Sequence, residues 1–175
     1  MKHTKNILKS LLITVMALSL LAVSCSKDEG GSKPTSPTSI TITAADINSF
    51  LTSLKDNEVP VGSIATISTT ETIDVEAKQD ITVSAKAVGS AANISKTEFA
   101  KALKEVVSSL SSDVTITADT SKIESASSAA AADCVLKIKP SGQNKFDTKV
   151  TSISSYTTTD GLKITLKITP NKNWN

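Results

Sequence analysis

The sequence predicts an α+β domain, an antiparallel sheet with two amphipathic helices packed on one of its faces. Three observations predict it. Two stretches carry apolar residues at helical spacing behind capping residues. Several others alternate apolar residues with threonine, serine or lysine, as strands with one wet face do. A helix followed by about three strands recurs at an offset of 52 residues. A chain of 175 residues has room for one domain with a modest core.

Ile40 and Ile42 alternate with threonine and give a short strand. Thr43 then reads as an N-cap, with Asp46 in the first turn. Ile47, Phe50, Leu51 and Leu54 follow at i, i+3, i+4 and i+7, one apolar stripe that stops before Pro60. Strands are expected over 63–68, 72–77 and 81–88. In the last of these Ile81, Val83, Ala85 and Ala87 alternate with Thr82, Ser84 and Lys86.

Ser95-Lys96-Thr97-Glu98 is a capping box. Phe99, Ala102, Leu103, Val106 and Leu110 mark the second helix, which should end near Ser112. Strands follow over 114–118 and 134–139. A final pair, 149–156 and 162–169, flanks Asp160-Gly161, a hairpin signal. The offset of 52 places Thr43 on Ser95, Ile47 on Phe99 and Leu51 on Leu103, so a tandem α-β-β-β duplication is one reading. Any two capped amphipathic helices align this way, and that is the other. Residues 125–132 (SASSAAAA) form a low-complexity insert, read as a loop or a short helix.

Ahead of the domain, Lys2, Lys5 and Lys9 form a basic start, and residues 7–23 are apolar apart from Lys9 and a few small hydroxyl residues, a run shorter than a membrane-spanning helix requires. This is the layout of a signal peptide. The residues Leu21-Ala22-Val23-Ser24-Cys25 at its end resemble the lipobox of bacterial lipoproteins, although Ala22 stands where leucine is preferred. The resemblance implies cleavage between Ser24 and Cys25. It also implies a diacylglycerol on the Cys25 thiol and a fatty acid such as palmitate on the freed amine. Several chains on one residue make a stable anchor, where one is marginal. The organisation expected is a signal peptide over 1–24, a lipidated cysteine with a flexible tether over 25–38, and a single domain over 39–175. Gly, Pro, Ser and Thr dominate residues 30–39, as in a flexible linker. Ser26-Lys27-Asp28-Glu29 resembles the surface-export tag of some outer-membrane lipoproteins; a solvated charge run in the tether is the other reading. The expected address is the outer membrane facing outward, with a periplasm-facing domain as the alternative.

Composition narrows the chemistry. Removing Lys2, Lys5 and Lys9 leaves 16 of the 19 lysines against 17 acids, a net charge near −1. The chain contains no arginine. Both facts argue against a nucleic-acid partner, which needs a concentrated basic face. The one histidine, His3, leaves with the signal peptide, and with it the commonest general base and metal ligand. Cys134 alternates in phase with Leu136 and Ile138 and so belongs to the core. Asp74 and Glu76 share a strand face opposite Ile73, Val75 and Ala77, the ordinary wet side of a strand. No glycine-rich phosphate loop and no calcium loop occurs. Phe146, Tyr156 and Trp174 remain as aromatic platforms for a sugar, although a Trp174 tucked onto the sheet is the plainer reading.

These features give a non-catalytic cell-envelope module, with no catalytic residue, metal or cofactor expected. Its partners would be the membrane, through its lipid, and an envelope or extracellular macromolecule. A hydrolase working with carboxylates alone, and a purely structural envelope protein, are the alternatives.

Overall fold

A computed structural model describes residues 38–52, 59–69, 75 and 80–175. In chain order the described elements are β1 (Thr41–Ile42), α1 (Ala44–Thr52), β2 (Val59–Val61), β3 (Ala65–Thr69), β4 (Ile81–Gly89), β5 (Asn93–Ile94), α2 (Lys96–Ser108) and β6 (Val114–Asp119). They continue with α3 (Ser121–Glu124), β7 (Ala132–Pro140), β8 (Lys145–Phe146), α4 (Thr148–Thr151), β9 (Tyr156–Thr157), β10 (Gly161–Pro170) and β11 (Asn173–Trp174). The fold is α+β, with a curled, mostly antiparallel sheet.

The helices start where polar side chains satisfy their first amides. Thr43 and Asp46 bond reciprocally: Asp46 N donates to Thr43 Oγ1 at 3.3 Å and Thr43 N to Asp46 Oδ2 at 2.8 Å. Ser95 Oγ accepts from Glu98 N at 3.5 Å, and Asp147 Oδ1 from Val150 N at 2.8 Å. A cap of this kind contributes about 1 kcal/mol. Each helix then buries one stripe: Ile47 and Leu51 from α1, and Phe99, Leu103 and Val107 from α2.

The sheet runs in the order β2-β3-β4-β10-β7-β6, with β9 beside the start of β10. Its centre is β10, where Leu162, Ile164, Leu166 and Ile168 are buried to the last atom. Ile164 lies level with Leu136 of β7 and Ile81 of β4, and Leu166 with Cys134 and Val83, so whole rows of side chains point to one face. These rows join the helix stripes in one core. The curl lets α2 pack against β6 at one edge of the sheet and touch β2 at the other.

Several expectations need correction. The sheet is not wholly antiparallel, because β4 and β10 pair in parallel at its centre. The strand expected over 149–156 is instead the single turn α4 and the two-residue β9. Val150 and Ile153 are three apart, a helical spacing, and both contribute to the core. Asp160-Gly161 does make a turn, with Gly161 at φ +76° and a hairpin register of Gly161 on Thr157. The main partners of β10, however, are β7 and β4, far away in sequence. The second helix ends at Ser108, four residues early, with Ser109 N bonded to Val106 O. β2 carries Pro60 and was not expected as a strand; it sits at the edge of the sheet, where proline is tolerated. The strand expected over 72–77 lies outside the described residues except for Val75, which is buried and donates its amide to Asn48 Oδ1. The side chain of Phe50 also lies outside them.

The α-β-β-β order holds for the first unit only. The second has two strands separated by α3. The 52-residue phase nevertheless occurs a second time. Ile42, Ile94 and Phe146 each end a two-residue strand, Thr43, Ser95 and Asp147 each cap the next helix, and α1, α2 and α4 begin at residues 44, 96 and 148. The short strands pair alternately: β1 runs parallel to β8, and β5 parallel to β11.

Candidate interaction surface

The sheet face away from the helices is open. Its rows are set by register: Lys163 beside Lys137, Thr165 beside Val135 and Thr82, Lys167 beside Asp133 and Ser84, Thr169 beside Lys86. Thr115 and Thr117 of β6 extend these rows at one edge, and Ser68 of β3 extends them toward the other. These are exposed or half-buried side chains, mostly hydroxyls and lysines.

One contact organises the centre of this face. Lys137 and Lys163 stand directly opposite each other on neighbouring strands, an arrangement that repels. Asp160, in the β9–β10 turn, reaches between them: Lys163 Nζ donates to Oδ2 at 2.7 Å and Lys137 Nζ to Oδ1 at 3.0 Å. The bond from Lys163 and then that from Lys137 pull the Asp160 carboxyl down to about 2. Gly161 makes the turn possible, since a Cβ there would collide with Ile138 O. No sequence signal paired Asp160 with Lys137, because that contact depends on the β7–β10 register.

The other candidate groups are not gathered into a site. Cys134 is fully buried, and loss of hydration pushes its thiol up to about 12, with the Asp119 charge adding to the shift. It is therefore a core residue, as its phase implies. Asp119 accepts from Ser121 N and Oγ, mainly the hydroxyl, and these bonds lower its carboxyl. Glu124 accepts from Thr120 Oγ1 and pairs with Lys104, and Asp46 and Asp147 serve as caps. Among the described residues no three His, Cys, Asp or Glu side chains come together in a way that holds a metal. Asp74 and Glu76, like Ser24, Cys25, Asp28 and Glu29, lie outside the described residues.

The aromatic residues are used inside. Trp174 is 3% exposed and lies against Phe99, ring centres 5.3 Å apart, while Phe146 meets Tyr156 edge-on at 5.9 Å. The plainer reading of Trp174 is the one observed. The 125–132 insert explains it: Trp174 N donates to Ser128 O at 2.6 Å and Nε1 to Ala130 O at 3.0 Å. Lys96 Nζ also donates to Ala126 O. The serine and alanine run is thus a loop whose carbonyls hold the last strand.

No family model, no curated protein and no solved structure matches this chain. Among the described residues no helix is long and apolar enough to cross a membrane.

Proposed function

We propose that the chain is a bacterial cell-envelope lipoprotein. It is cut between Ser24 and Cys25, is held on the outer membrane by lipid on Cys25, and works as a non-catalytic module. Its domain uses the open sheet face and its edge to bind an envelope or extracellular macromolecule. The observation that carries the reading is the order of basic residues, apolar run and Leu21-Ala22-Val23-Ser24-Cys25 at the N-terminus. The use of five acids as caps, clasps or ion-pair partners, and of four aromatic side chains in or against the core, favours binding over carboxylate chemistry.

Cys25→Ala tests the anchor. Cells fed an alkyne-bearing fatty acid should label the parent chain and not the variant, and the variant should leave the membrane fraction. Equal labelling of both chains contradicts the proposal. Brief protease treatment of intact cells reads the address: loss of the domain fits the outward-facing reading, and full protection places it in the periplasm.

A further inference from the structure

We draw no further inference here: the strongest candidate, the wet face of the sheet around the Lys137–Asp160–Lys163 clasp, belongs to the surface already described, and nothing in the structure shows what covers it.

Discussion

Asp160 and Cys134 respond to pH in opposite directions, because one is held ionised and the other neutral. The two lysines depress the Asp160 carboxyl to about 2, below the ordinary value near 3.9. A depressed carboxyl stabilises the fold above its unfolded pKa and loses that contribution as pH falls through the folded one. Asp160→Asn should therefore lower the thermal midpoint at neutral pH, and more at low salt than at high salt. The gap between the two chains should close as pH drops from about 4 to about 2, read by paired thermal melts. Cys134 behaves as a buried apolar residue whose thiol ionises at about 12. The unfolded chain ionises near 8.5, so this residue favours the fold below that pH and the benefit is lost as pH rises toward 12. Cys134 should resist a thiol reagent at pH 8 in the native chain and react within minutes in denaturant. Rapid native reaction would contradict the packing of Cys134 under the helices.

At the scale of elements, β11 and the 125–132 insert form one device. Trp174 fills a slot against Phe99, and three insert carbonyls, of Ala126, Ser128 and Ala130, hold Trp174 and Lys96. Trp174→Ala should cost about 3–5 kcal/mol, and amide exchange should speed up in β5, β11 and the insert before the rest of the sheet. Uniform acceleration would mean that the strand is not a separable latch. The sequence read the insert only as a loop or a short helix and gave it no role, since alanine and serine carry no pattern and its role lies in backbone carbonyls. Elements with strong local signals were legible: β4, β10 and β7 from strict alternation, α1 and α2 from apolar stripes and caps. The 149–156 stretch was misread because it is too short for its helical spacing to outweigh the hairpin signal beside it. The parallel pairing of β4 with β10 was not legible at all, since both strands alternate identically whichever way a partner runs.

For the whole molecule, the division of labour follows from one wet face and one dry face. Helices and the short strands β1, β5, β8 and β11 close the dry side. The wet side carries exposed and half-buried side chains, with the clasped lysine pair among them. The wet face was legible from alternation, but Asp160 in its clasp needed strand order and register. The account as a whole depends on where the mature chain begins. The direct measurement is mass spectrometry of the N-terminal peptide from protein extracted out of native membranes. The expected peptide starts at Cys25 and carries a diacylglycerol and an amide-linked fatty acid. A peptide that starts at Met1, or one with an unmodified Cys25, would contradict it.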